Sequence, residues 1–175
     1  AEVAIDAVDE IKKIYDNYSI DLMFGIPDST KESVRKDLSI LKKINPPHVS
    51  IYNMTLEERT VFYKLFKNNK ISLPNENSVL EQYDLILNQL ESIGYENYEI
   101  SNYAKKNYQS KHNSNYWNDK EYIGYGPSAH SYDKKYRYWN IRDNKEYIKL
   151  IEENKIVFEK EKLSKKEKIN EYILT

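Results

Sequence analysis

Three short stretches of the sequence carry side chains that could do chemistry. Asp21 interrupts an apolar run, the stretch HNSNYW (112–117) combines an imidazole with amides, a phenol and an indole, and His130 follows small residues in GPSAHS. The set at 112–117 could ligate a metal ion, stack on a flat aromatic ligand or hold a buried corner by hydrogen bonds. His130 could meet a ligand or fill a gap in the core.

Asp21 lies in the predicted strand IDLMFGI (20–26), where alternation places it on one face with Met23 and Gly25. A buried carboxylate is costly unless it is hydrogen-bonded. Asp21 is therefore either a functional group or a solvated or capping residue at the edge of the strand, and its spacing leaves both open. His48 opens a later strand after two prolines, and we predict that it is structural.

Strands and helices alternate between residues 20 and 101. We predict strands at 20–26, 48–54 and 95–101, and helices from the capping pair Ser29 and Glu32 to Asn45, around 60–68, and from Val79 to Gly94. Such alternation favours an α/β fold with a parallel sheet, in which binding groups collect at the carboxyl ends of the strands. We further expect that Asp21 and His112 share one pocket at one end of this sheet.

The remainder of the chain has a weaker pattern. We predict a helix at 1–15, a polar loop at 102–120, a helix at 144–153, and a final helix capped by Ser164 and Glu167, with the charged tract 159–168 as its solvated start. Because the first helix has no cap before it, we expect that the sequence begins within a domain.

Composition excludes several classes of function. The sequence has no cysteine, so it forms no disulfide and offers no thiol nucleophile or thiolate ligand. The net charge of −1 gives no reason to expect nucleic acid as a partner. No run approaches the roughly 18 apolar residues of a membrane span. The default expectation is a cytoplasmic protein.

Six segments of the chain form an ordered series of motifs: DLMFGIPDST (21–30), HVSIYNMT (48–55), GYENYEISNYA (94–104), HNSNYW (112–117), YIGYGPSAHS (122–131) and EKLSKKEKINEYILT (161–175). In this order they resemble the radical-SAM family that contains oxygen-independent coproporphyrinogen III oxidase and the bacterial heme chaperone. The resemblance is closest to the heme chaperone branch, through the motif His-Asn-x-x-Tyr-Trp. Ser110 stands where many members have cysteine.

The resemblance implies a fold, cofactors and site residues. We expect the second half of an incomplete (β/α)6 barrel (1–101), a loop-rich segment within an α+β extension (102–143), and the start of a helical C-terminal domain (144–175). Family members bind S-adenosylmethionine and a [4Fe-4S] cluster through Cys-x-x-x-Cys-x-x-Cys, which this sequence lacks. The implied S-adenosylmethionine contacts are Asp21, Thr55 and His130, and the implied heme contacts are His112, Tyr116 and Trp117.

Two activities compete within the family. One is that of a chaperone, which binds heme and passes it to an acceptor protein, and the resemblance favours it. The other is oxidative decarboxylation of coproporphyrinogen III. A third possibility is a non-catalytic, divergent fragment. We expect no catalysis from this chain by itself.

Overall fold

The computed structural model describes residues 2–174, and it divides into two compact units, residues 1–109 and 110–175. The first unit contains α1 (Glu2–Lys12), β1 (Ser19–Phe24), α2 (Lys31–Ile44), β2 (His48–Asn53), α3 (Val61–Lys67), α4 (Glu76–Ser92), β3 (Glu96–Asn97) and β4 (Asn102–Ala104). The second contains α5 (Lys111–Trp117), β5 (His130–Tyr132), β6 (Tyr136–Asn140), α6 (Asn144–Glu152), β7 (Phe158–Lys162) and α7 (Lys165–Leu174).

The first unit is a four-stranded sheet, in the order β1-β2-β4-β3, with a core on one of its faces. Strands β1 and β2 run parallel, as predicted, with α2 between them in the chain. The core contains Phe24, Val34, Leu38, Leu41, Val49, Ile51, Ile86, Leu90, Tyr95 and Tyr103. Each fully buried aliphatic side chain among them contributes roughly 1.5–3 kcal/mol relative to exposure, so this face holds the unit together.

The strand predicted at 95–101 is present only as the short strand β3 (Glu96–Asn97), which lies at the edge of the sheet and not beside β2. The chain instead turns back after β3, so that β4 pairs antiparallel with both β2 and β3. The Asn97 side chain donates to the main-chain oxygens of Glu99, at 2.6 Å, and Asn102, at 3.2 Å. Asparagine often stabilises such reversals through side-chain to main-chain hydrogen bonds. That chemistry prevails over the apolar pattern of the segment.

The predicted loop at 102–120 is also wrong, since it contains β4 and the helix α5. Ser110 caps α5 by accepting a hydrogen bond from the main-chain N–H of Asn113 at 3.2 Å. A helix of seven residues is too short to show a clear apolar period. The cap was therefore the informative signal, and Ser110 is a favoured residue for it.

The second unit contains a three-stranded antiparallel sheet in the order β5-β6-β7. The charged tract 159–168, predicted as a helix start, begins as strand β7. Its acidic residues face partners on β6: Glu159 lies opposite Trp139, and Glu161 lies opposite Arg137. The final helix and its capping box are confirmed, because Ser164 and Glu167 exchange both hydrogen bonds.

The other predicted helices are confirmed, and only the capping pair of α2 differs from the prediction. The capping box of α2 is formed by Thr30 and Ser33 rather than Ser29 and Glu32. The predicted helices at 1–15, 60–68, 79–93 and 144–153 are present as α1, α3, α4 and α6. Gly94 has a φ of +87° directly after α4, as a glycine that ends a helix should.

Candidate functional site

The face of the first sheet opposite the core is polar. The strand register places Asp21, Ser50 and Asn102 side by side across β1, β2 and β4. Asp21 is exposed, whereas Ser50 and Asn102 are 6% and 5% exposed. Asp21 therefore lies in the middle of a strand and not at its end, and it belongs to a row of oxygen-bearing side chains.

His48 lies in the neighbouring row of the same face. Its Nδ1 is 2.7 Å from the hydroxyl of Ser19, and its Nε2 is 2.7 Å from the hydroxyl of Tyr98. Burial lowers the pKa of His48, against the opposing effect of the Asp21 and Glu99 carboxylates. Both ring nitrogens thus have partners, which supports the prediction that His48 is structural.

Asn102 has an unsatisfied acceptor in the polar row. Its side-chain nitrogen donates to Glu99, while its Oδ1 is buried and has no hydrogen-bond partner in the described part of the chain. Buried acceptors are usually paired, so an unpaired one calls for an explanation, and a ligand that donates to it is one explanation. Sequence reasoning missed Asn102, since only the register shows that it lies beside Asp21.

Gln82 of α4 holds the loop that follows β1 by hydrogen bonds. The Gln82 side chain is fully buried, with 0% exposure. Its Oε1 accepts from the N–H of Gly25 at 3.1 Å and from the hydroxyl of Ser29 at 3.2 Å. Its Nε2 donates to the main-chain oxygen of Ser29 at 3.3 Å. Gly25 has a φ of +66°, and a Cβ there would lie 2.3 Å from Oδ1 of Asn53. Only glycine fits this close approach of β1 and β2 without rearrangement.

Thr55 follows β2 by two residues and is exposed. It lies in the loop at the carboxyl end of that strand, and the equivalent end of the parallel strand β1 leads into the Gly25 loop. Asp21 and Thr55 therefore belong to the same unit, with Asp21 within β1 and Thr55 just beyond the end of the neighbouring parallel strand β2.

In the second unit, His112 begins a chain of aromatic contacts that ends on the sheet. The His112 and Tyr116 rings meet edge to face with centroids 5.0 Å apart, and Tyr116 meets Tyr122 at 4.7 Å. Tyr122 in turn lies 6.0 Å from Tyr132 of β5, and Tyr132 donates a hydrogen bond to Asp119. These contacts fix α5 and present an exposed imidazole at its start.

Trp117 ends the same helix and is 37% exposed, and Tyr116 is 45% exposed. The motif thus presents an imidazole, a phenol and an indole within one short helix. Exposed aromatic side chains next to an imidazole can cover part of a flat ligand.

His130 lies on β5, on the same face as Tyr132, which is two residues further along the strand. The register places His130 opposite Trp139, which lies opposite Glu159. The indole N–H of Trp139 donates to Glu159 at 3.0 Å, and this holds the ring in place. His130 and Trp139 both line a cavity that also includes Arg142.

The structure brings four of the six predicted site residues into one unit. His112, Tyr116, Trp117 and His130 belong to the second unit, whereas Asp21 and Thr55 belong to the first. The pocket that we expect Asp21 and His112 to share stays a prediction. Sequence reasoning missed Gln82, Trp139 and Arg142, because nothing in their local spacing distinguishes them from ordinary helix and strand residues.

The comparison with solved structures gives the type of fold. Coproporphyrinogen III oxidase from Escherichia coli, a radical SAM enzyme, matches 99% of this chain with a TM-score of 0.78, although only 19% of residues are identical and the match covers 43% of that protein. The α/β fold with parallel strands is therefore of the radical-SAM type, as predicted. No profile of a protein family matches the chain.

Curated relatives then give the particular family. Heme chaperone HemW from Buchnera aphidicola subsp. Schizaphis graminum is 47% identical over 73% of this chain, that from Bacillus subtilis 37% over 79%, and that from Lactococcus lactis 36% over 95%. The chain belongs to the radical-SAM family of the heme chaperone HemW and the coproporphyrinogen oxidase HemN. It spans 33%, 37% and 44% of the length of these three relatives.

Membership of this family implies S-adenosylmethionine and a [4Fe-4S] cluster in the full-length proteins. The residues present do not fit the cluster, because the sequence has no cysteine and no group of three His, Asp or Glu side chains in the described ranges could hold a metal ion. Among the described helices, none is both long and apolar enough to span a membrane.

Proposed function

We propose that this chain is part of a heme chaperone, which binds heme and passes it to an acceptor protein. The observation that carries the proposal is the identity of 36–47% to relatives named as heme chaperones, over 73–95% of this chain. As parts of the same proposal, the heme passes to a separate acceptor protein and the protein is cytoplasmic. The chain is also proposed to consist of three parts, with divisions after residues 101 and 143.

His112 is the proposed axial ligand of the heme iron. Its imidazole is exposed, and the edge-to-face contact with Tyr116 at 5.0 Å restricts its orientation. Imidazole is a common ligand of heme iron, and pre-orienting it reduces the entropy lost on binding. Tyr116 and Trp117 are the proposed aromatic neighbours that would cover part of the porphyrin face.

Asp21, Thr55 and His130 are the proposed residues on the side of S-adenosylmethionine. The polar row of Asp21, Ser50 and Asn102 supports this proposal, because it presents oxygen acceptors and includes one that is unsatisfied. S-adenosylmethionine supplies hydroxyl and ammonium donors when bound. The carboxylate of Asp21 would accept from such donors.

The test is heme binding by the full-length protein that carries this chain, followed by Soret absorbance. We expect His112→Ala to shift the Soret band and to weaken heme binding by about tenfold or more, which is roughly 1.4 kcal/mol. The matched control is Asn115→Ala, since Asn115 is exposed on the same helix and is not among the proposed heme contacts. Its heme affinity and spectrum should stay as in the native protein.

Unchanged spectra and affinity in His112→Ala would rule out His112 as the ligand. Release of CO2 from coproporphyrinogen III under anaerobic conditions, with S-adenosylmethionine and an intact cluster, would indicate the oxidase activity instead. The fold match to the oxidase supports the fold alone, at 19% identity.

A further inference from the structure

The second unit contains a cavity of about 390 Å³ that none of the proposed heme contacts lines. Its lining residues are Ser128, His130, Trp139, Asn140 and Arg142. Arg142 supplies a cation, Ser128 and His130 supply polar groups, and the Trp139 ring forms an apolar wall. A volume in this range is that of a small-ligand pocket, and the lining is suited to one end of an anionic ligand.

The acidic residues nearby belong to a separate, adjoining cavity. That second cavity, of about 440 Å³, shares Trp139, Asn140 and Arg142 with the first and adds Glu146 and Glu159. Glu159 is already engaged by the indole N–H of Trp139. Arg142 is the charged residue among those that line the first cavity, whereas Glu146 and Glu159 line only the second, which Arg142 also lines.

The loop that forms the rim of the first cavity is rigidly held. Gly126 accepts from the N–H of Ala129 at 3.3 Å across a turn, and Asn140, which is 8% exposed, donates from its side chain to the same Gly126 oxygen at 2.9 Å. Two further main-chain bonds tie Ser128 to Ile141 at 3.1 Å and Asn140 to Ala129 at 2.9 Å.

Ser128 itself has a φ of +60°, in the left-handed region that favours glycine. At the third position of a turn after Pro127, this conformation usually selects glycine or asparagine. A serine there accepts some backbone strain while keeping a hydroxyl on the cavity lining. Such strain is found more often at binding sites than elsewhere.

We propose that this cavity is a carboxylate-binding site, with Arg142 as its principal donor and Ser128 and His130 as secondary ones. Guanidinium groups bind carboxylates through two parallel hydrogen bonds, and the Trp139 wall suits the apolar part of the same ligand. This inference rests on the proposed function, which offers two carboxylate sources: the propionates of heme and the amino-acid end of S-adenosylmethionine.

The position of the cavity agrees with the first source. The aromatic chain from His112 ends at Tyr132, and His130 lies two residues away on the same face of β5. The proposed iron ligand and the proposed carboxylate site are therefore attached to one face of one sheet. Both sites therefore lie in the second unit, and the three titrations below decide which carboxylate source occupies the cavity.

The experiment compares Arg142→Gln with the native full-length protein in three titrations: hemin, hemin dimethyl ester and S-adenosylmethionine. We expect Arg142→Gln to weaken hemin binding by about tenfold, the low end for a charged hydrogen bond because Arg142 is exposed. Binding of the ester, which has no carboxylate, should be unaffected. Arg142→Lys should recover part of the loss.

Arg35→Gln is the matched control, since Arg35 is an exposed arginine on α2 whose ion pair with Glu32 lies at a helix surface. It should bind all three ligands as the native protein does. A selective loss of S-adenosylmethionine affinity in Arg142→Gln would support the site and assign the second source.

Native affinity of Arg142→Gln for both hemin and S-adenosylmethionine would overturn the proposal. That result is distinct from failure of the proposed function, which would appear as absence of hemin binding by the native protein. In the latter case the S-adenosylmethionine titration still decides whether Arg142 binds a carboxylate.

Discussion

Replacement of Gln82 by leucine should destabilise the first unit although the two side chains are similar in size. Gln82 is fully buried and accepts from the Gly25 N–H, which is buried as well. A leucine leaves that donor without a partner, which costs roughly 1–3 kcal/mol. The two bonds to Ser29 add about 1 kcal/mol, because Ser29 is half-buried and water can replace part of them.

Leucine in turn gains about 1 kcal/mol from additional apolar burial. The net expectation is a loss of about 2 kcal/mol in the free energy of unfolding. Urea denaturation followed by circular dichroism measures it, with Gln89→Leu as the control. Gln89 lies two turns later on α4 and is half-buried, so that substitution should stay within about 0.5 kcal/mol of the native protein.

Equal stability of Gln82→Leu and Gln89→Leu would refute this reasoning. It would mean that the loop after β1 is held by other contacts, or that the buried N–H finds water in the variant. Hydrogen exchange at the Gly25 N–H separates these outcomes, because an N–H that is hydrogen-bonded to water exchanges faster than one that is shielded by other protein contacts.

Two further predictions concern the same unit. Gly25→Ala should lower the free energy of unfolding, measured by urea denaturation, by about 1 kcal/mol more than Gly94→Ala. Both glycines have positive φ, but only a Cβ at Gly25 would contact Asn53. Equal losses of stability would exclude this steric cause. Burial lowers the pKa of His48 below its usual 6.5. The neutral side chain therefore contributes its full stability above that pH, and this contribution is lost as the pH falls below it. The free energy of unfolding of His48→Gln should depend less on pH between pH 7 and 5 than that of the native protein, and an identical dependence would contradict this.

The alternation of strands and helices predicted the parallel pair and its helices correctly. Apolar periodicity identifies β1, α2, β2 and α4 because these elements place one face on the core. It failed for β3 and β4, where the Asn97 side chain reverses the chain. A single residue that competes for main-chain hydrogen bonds can override a weak strand pattern.

The resemblance implied an α+β extension, but the local sequence pattern missed the strands of the second sheet, for a different reason. Strand β7 has the sequence FEKEK, with all five residues exposed, so it carries no buried face for periodicity to detect. Its pairing depends on β6, including the bond from Trp139 to Glu159 and the ion pair from Arg137 to Glu161 at 3.8 Å. Such contacts join residues that are about twenty positions apart and leave no local pattern.

Buried polar residues do not by themselves mark a binding site in this chain. Gln82 is fully buried, yet both of its side-chain polar atoms have partners, in the loop that it supports and in Ser78 of its own helix, so its burial is explained by the fold. Asn102 differs, since its nitrogen is used and its oxygen is not. Ser128 differs again, since its backbone conformation is one that serine seldom adopts. Positive φ alone is not a sufficient signal either, because Arg59 and Lys134 also have it. At Ser128 it gains weight from the cavity that this residue lines, as the unpaired oxygen of Asn102 gains weight from its position beside Asp21.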